Sequence, residues 1–393
     1  MLKWLLLPIP VYFGGVYAGK YLIDEQAKMS FTKRCKLVGL GSEKHFVTTE
    51  DGYILQLFRV TSGESQSECP PVYFQHGSQS SAMDWVANKE KSSPFILAKN
   101  GYDVWVANAR GCAYSQFHKY LDPNEDPEYW DFCFEDMAKY DTKAVIEYIR
   151  KNNDHKSHKV SYIGHSQGSA MILIALSEDL KWYQDKLSIA IACAPATRMD
   201  AIKAKTLKKV CENESVHKLI NKATIHQMHR PNAVFNGAWC GLSKLCPPLM
   251  KKSMKKFNDA DPTVNNLNSC QIFWYHHPSG TSFKALKHWS QIIKHGEFIK
   301  FDYGKEKNLE VYGTETPPMY DLVGIQKSKI PIAILSGKHD LLAATEDCEW
   351  TKAQLGESLV FDKEYDYGHM TFLCGKDNSY IYDIMKLLKE YSQ

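Results

Sequence analysis

The stretch Lys159-Val160-Ser161-Tyr162-Ile163-Gly164-His165-Ser166-Gln167-Gly168-Ser169-Ala170-Met171-Ile172-Leu173-Ile174-Ala175-Leu176 sets a strand-like run against a helix-like apolar run, with a GxSxG pentapeptide at the junction. That context reads as a nucleophile elbow. A serine hydroxyl attacks poorly unless a sharp turn lifts it clear of its sheet and a base takes its proton. Gly164 and Gly168 remove the Cβ atoms that would crowd the turn, and His165 and Gln167 flank the serine. Upstream, His45 to Thr49 and Tyr53 to Val60 alternate around Glu50-Asp51-Gly52, which predicts a hairpin. Further strands are predicted at Val72 to Gln75, Asp103 to Ala107, Ser188 to Cys193, Ile330 to Leu335 and Ser358 to Lys363. Helical stretches lie between them, including Met137 to Ile149 with its three-to-four spacing and Tyr380 to Tyr391 at the end. Strands alternating with helices give the α/β class, a mainly parallel sheet covered on both faces.

The partners of a serine on such a sheet follow it in the order acid, then histidine. Asp340, in Ser336-Gly337-Lys338-His339-Asp340, ends one of the later strands, and His369, in Tyr367-Gly368-His369, follows the next. With 15 histidines in the chain, placement rather than residue type selects His369. His339 adjoins the acid on one loop and points elsewhere, and Asp366 is too close in sequence to orient His369. The oxyanion of acyl transfer needs backbone donors. Gln167 N–H at the helix N-terminus supplies one, and Ser78 N–H, after Gln75-His76-Gly77, supplies the other.

Composition bounds the rest. A net charge of +3 on 393 residues, with 44% hydrophobic and 24% charged content, gives no footprint for nucleic acid. His226-x-x-His229 and His276-His277 lack the glutamate or cysteine partners of metal sites, and no phosphate loop or dinucleotide fingerprint occurs, so neither metal nor cofactor is expected. Residues 1–18, one lysine before an apolar run ending in Val16-x-Ala18, read as a signal peptide; an N-terminal anchor is the alternative. Secretory entry permits disulfides among the 11 cysteines and glycosylation of Asn213 in Asn213-Glu214-Ser215. Cys240 and Cys246, closest in sequence, are the candidate pair, while Cys112, Cys133 and Cys193 read as buried thiols. Residues 19–196 and 303–393 then form the two parts of one core. Residues 197–302, where the strand rhythm stops, form a helical cap whose Lys251, Lys252, Lys255 and Lys256 suit an anionic lipid surface or a solvated helix face equally well.

Ordered across the chain stand Thr49-Glu50-Asp51-Gly52-Tyr53-Ile54-Leu55, Gln75-His76-Gly77 with Asp84-Trp85, Asn108-Ala109-Arg110-Gly111, Trp130-Asp131-Phe132, the elbow, Gly280-Thr281-Ser282 with His288-Trp289-Ser290-Gln291, and the Asp340 and His369 loops. This series resembles the acid lipase family, which includes lysosomal acid lipase, gastric lipase and steryl ester hydrolases. The resemblance implies an α/β-hydrolase fold with an inserted helical cap and lid. It also implies hydrolysis of neutral lipid esters, triacylglycerol or steryl ester, at a lipid–water interface, by a secreted or lysosomal enzyme. Ser78 stands where the family usually has leucine, and the tryptophan that many members carry after the acid is missing. An esterase for small soluble esters and a non-catalytic binding protein on the same fold are the rival readings.

Overall fold

A computed structural model of the chain describes residues 23–62, 68–215, 225–228 and 233–392. The expected leader at residues 1–18 and His229 lie outside the described residues. The main sheet runs β1 (Gly41–Thr48), β2 (Tyr53–Thr61), β4 (Asp103–Ala107), β3 (Pro71–Gln75), β6 (Val160–His165), β7 (Leu187–Cys193), β10 (Ile332–Gly337) and β11 (Leu359–Tyr365), with the short β5 (Phe117–His118) paired to β2. The β1–β2 hairpin and the β2–β4 pair are antiparallel, and every pair from β4 to β11 is parallel. Two short strands, β8 (Gln227–Met228) and β9 (Thr281–Ser282), form a separate antiparallel pair.

Buried parallel strands show their side chains alternately to two cores. Tyr73, Trp105, Tyr162, Ala190, Ile332 and Ile334 face one. Val72, Phe74, Val104, Val106, Ile163, Ile191 and Leu335 face the other. The helix Gln167–Gln184 buries every residue from Gln167 to Leu176, which is why its sequence shows no polar stripe.

The expected helix over Met137 to Ile149 begins as a π-turn, Met137–Asp141, and continues as an α-helix from Thr142 to Lys151. The widened turn aims Asp141 into the core, where its carboxylate takes Arg110 Nε at 2.7 Å. Arg110, itself buried, also grips Asp51 and stacks 3.9 Å over the Tyr53 ring. The motif arginine therefore pins the β1–β2 hairpin to the helical layer.

Between β7 and β10 the chain adds no strand to the main sheet among the described residues. It builds the helices Lys205–Glu212, Ala233–Leu245, Pro247–Phe257, Leu267–His276 and Phe283–His295. Cys240 and Cys246 are not bridged. Cys240 is buried and its thiol lies 3.3 Å from the Gln271 carbonyl of the next helix but one, whereas Cys246 stands at the cap of the helix Pro247–Phe257. Cys112, Cys133 and Cys193 are buried free thiols.

Candidate active site

Ser166 occupies the turn between β6 and its helix with φ 55° and ψ −117°, a backbone conformation that a residue with a side chain adopts only under strain. Its N–H donates to the Cys193 carbonyl at 3.0 Å, tying the turn to β7. The surroundings leave no space for larger neighbours. A Cβ on Gly164 would sit 2.5 Å from the Gly168 carbonyl carbon, and one on Gly168 would sit 2.5 Å from the Gln75 oxygen.

The loops after β10 and β11 bring the expected partners to this serine. Ser166 Oγ lies 2.9 Å from His369 Nε2, and His369 Nδ1 lies 2.8 Å from Asp340 Oδ2. Asp340 Oδ1 accepts the N–H groups of Leu342 and Ala343, each at 2.8 Å, so the carboxyl group is fixed. With Nδ1 donating to Asp340, Nε2 is left to accept the serine proton. Burial disfavours a charged His369, but the charge and hydrogen bond of Asp340 outweigh it and raise the imidazole above its ordinary value. Ser166 is 9% exposed, and His369 and Asp340 are buried. His339 instead pairs with Asp366 at 2.8 Å, away from the serine.

The loop after β3 passes close to this group, since a Cβ on Gly77 would meet Ser166 Cβ at 3.1 Å. His76 orders the loop. Its Nε2 accepts the Ala109 N–H at 2.9 Å, so its Nδ1 carries the proton and donates to the Gly77 carbonyl at 2.8 Å. Burial lowers this imidazole to about 4, which keeps that tautomer neutral. Neither Ser78 N–H nor Gln167 N–H has a partner among the described residues; Gln167 opens the helix after the serine, and Ser78 follows Gly77 in the loop packed against it. Two unspent amides beside a serine are what a developing oxyanion requires. The buried Ser78 hydroxyl likewise has no partner among the described residues.

Several supporting contacts carried no signal in the sequence. Trp289 Nε1 donates to Gln167 Oε1 at 2.8 Å, and Gln167 Nε2 reaches Met137 Sδ at 3.4 Å, so the residue after the serine is held from both ends. Trp289 belonged to a noted motif, yet nothing in the string gave its target. His165 donates from Nε2 to the His369 carbonyl at 2.9 Å, and burial lowers this ring to about 3. Asp259 accepts Met370 N–H at 3.1 Å and Asn265 Nδ2 at 2.5 Å. Asn265 Oδ1 takes the Thr371 hydroxyl at 2.7 Å, whose oxygen accepts Gly368 N–H at 2.9 Å. This chain grips the backbone on both sides of His369. Burial raises Asp259 to about 6, against the lowering effect of the Met370 N–H.

Among the described residues one grouping has the donor types of a metal site: Cys133, Glu135 and His288, with ligand atoms within 4.8 Å of one another. Burial pushes the Cys133 thiol well up, and it donates to Glu135 at 3.6 Å.

Residues 31–89 match the family described as a partial α/β-hydrolase lipase region, and residues 70–375 match the α/β-hydrolase fold family. The gastric triacylglycerol lipase of Bos taurus is 32% identical over 385 residues, covering 95% of both chains. Lipase member K of Homo sapiens is 31% identical over 378 residues, covering 94% of this chain and 93% of its own. In solved structures the fold recurs in a Bacillus subtilis carboxylesterase, at TM-score 0.51 and 14% identity, over 95% of this chain and 98% of that one. Fold, motifs and relatives converge: the chain is a carboxylic ester hydrolase that belongs to the acid lipase family of α/β-hydrolases.

Proposed function

We propose that this enzyme cleaves neutral lipid esters, triacylglycerol or steryl ester, through an acyl-enzyme intermediate on Ser166. The observation that carries this reading is the Ser166–His369–Asp340 relay, at 2.9 and 2.8 Å. His369 takes the serine proton as Oγ attacks the ester carbonyl, then returns it to the leaving alcohol. Asp340 holds the imidazolium in orientation without accepting the proton. The amides of Ser78 and Gln167 receive the oxyanion, and water repeats the sequence to release the fatty acid. No cofactor enters these steps.

Residues 197–302 act as the cap, and the small exposure of Ser166 is that of a covered site. On the helix Pro247–Phe257, Met250 and Met254 face inward, while Leu249, Phe257, Lys251, Lys252, Lys255 and Lys256 are exposed. Apolar and cationic side chains on one outer face suit peripheral docking on an anionic lipid surface. The enzyme enters the secretory pathway on residues 1–18, carries glycan on the exposed Asn213, and works in lysosomes or outside the cell. Sequencing of the mature N-terminus tests this routing: a start near Gly19 supports it, and an intact Met1 in a carbonate-resistant membrane fraction identifies an anchor.

Rates measured with triolein and cholesteryl oleate emulsions, beside p-nitrophenyl butyrate carried through its solubility limit, test the substrate class. A steep rise once substrate forms a separate phase is the expected result. Hyperbolic rates through the limit, with preference for the soluble ester, would replace the lipase reading with that of a small-ester esterase.

A further inference from the structure

Cys270 and Cys374 are 104 residues apart in sequence, yet their sulfurs lie 3.1 Å apart and both residues are fully buried. Cys270 sits on the helix Leu267–His276, between β7 and β10, and Cys374 ends the short helix Thr371–Cys374 that follows His369. The two backbones are already in register. Asn266 N–H donates to the Cys374 carbonyl at 2.8 Å, and Asn265 and Gly375 form an isolated antiparallel bridge. On the flank, Asn88 Nδ2 donates to the Gly375 carbonyl at 3.0 Å, and Asn88 Oδ1 accepts the Ser269 hydroxyl at 2.8 Å. The segments therefore meet independently of the sulfurs, and a side-chain adjustment of ~1 Å reaches the ~2.05 Å of a covalent bond.

We propose that Cys270 and Cys374 form a disulfide that staples the helix Leu267–His276 to the loop carrying His369. Formation is an exchange with an oxidised dithiol or oxidised glutathione. One cysteine thiolate attacks the oxidant's disulfide and displaces a thiolate. The second cysteine thiolate then attacks the mixed disulfide, forming Cys270 Sγ–Cys374 Sγ and releasing the other thiolate. The two cysteines lose two protons and two electrons, and the oxidant leaves as two thiols. Burial pushes Cys374 far above its ordinary value, so the attacking thiolate is available before the site closes, while the chain folds. The bond closes a long loop beside the network of Asp259, Asn265 and Thr371 that grips the backbone around His369. This inference is independent of the substrate class and requires only folding in the presence of a disulfide oxidant.

The full-length chain is secreted from a eukaryotic host, denatured, alkylated without reductant, digested and mapped by mass spectrometry. If it is retained inside the host, the same chain is refolded with oxidised and reduced glutathione and mapped identically, which separates this inference from the proposed routing. A linked peptide pair containing Cys270 and Cys374, lost on reduction, is the expected result. Alkyl label on both cysteines, or Cys270 joined to another cysteine, would overturn it. Melting supplies a second readout. Dithiothreitol should lower the wild-type Tm by roughly 5 °C, and a Cys270→Ala/Cys374→Ala variant should melt near the reduced wild type and ignore the reductant. A wild-type Tm unmoved by complete reduction would contradict a stabilising staple.

Discussion

In the proposed mechanism Ser166, His369 and Asp340 share one proton transfer, so their losses should not be additive. Replacing Ser166 or His369 alone by alanine should each cost on the order of 10⁴-fold or more in kcat, and the double variant should be little worse than either. Multiplying losses would point to a different base. The imidazole must be neutral to accept the serine proton. Because Asp340 holds it above its ordinary value despite burial, kcat/KM should rise with pH along a limb centred above ~6.5. A limb well below that value would show that the charge of Asp340 does not dominate at His369. Asp259 behaves in the opposite sense from a surface acid. Its folded-state value, near 6, is raised above 3.8, so the native state binds the proton more tightly. Its contribution to stability is fully present below the unfolded value and is lost as pH rises through 6. Asp259→Asn resembles the protonated acid, so its Tm relative to wild type should climb between pH 4 and pH 8, by an amount worth up to about 3 kcal/mol. A difference that stays flat with pH would mean that Asp259 does not titrate in this window.

The turn at β6 stands because two glycines let three backbones approach, and it is the least tolerant element of the site. Gly168→Ala sets a Cβ 2.5 Å from the Gln75 oxygen and 2.8 Å from the His76 oxygen, both rigid backbone atoms. Little folded, active protein should be recovered from that variant, whereas Gly101→Ala, with open space at its Cβ, tests only the cost of a positive φ. Equal recovery and activity of Gly168→Ala and wild type would show that the loops after β3 and β6 are not packed as described. This element was legible in the sequence because its signals are local: a strand, a turn that demands glycine, and a buried helix. The ends of β10 and β11 were legible for the same reason, and they carried Asp340 and His369 with them. What string position could not convey was contact between distant elements. The π-turn at Met137–Asp141 answers to Arg110, and the thiol of Cys240 faces Gln271 rather than Cys246. Asp259 and Asn265 lie in a stretch without periodicity, and only the folded chain brings them to the backbone of His369.

Across the enzyme, the parallel strands deliver four loops to one edge of the sheet, after β3, β6, β10 and β11, and the helical segment between β7 and β10 contributes Asp259 and Trp289 to the same place. Ligands of open α/β sheets bind outside the carboxyl ends of the strands, and the serine sits there under cover. If lipid opens the cover, apolar burial against the aggregate, worth ~25 cal/mol per Å², supplies the driving force, and soluble substrate cannot. Replacing Lys251, Lys252, Lys255 and Lys256 together by glutamine should weaken binding to phosphatidylserine vesicles, by about 1 kcal/mol per engaged lysine, and spare hydrolysis of p-nitrophenyl butyrate. Unchanged vesicle binding would place the docking face elsewhere. The decisive comparison is triolein emulsion hydrolysis by wild type and by Ser166→Ala with matched circular dichroism and Tm. Loss of all but a residual rate in the variant is the predicted result, and turnover at the wild-type level by folded Ser166→Ala would contradict a serine ester hydrolase working through this site.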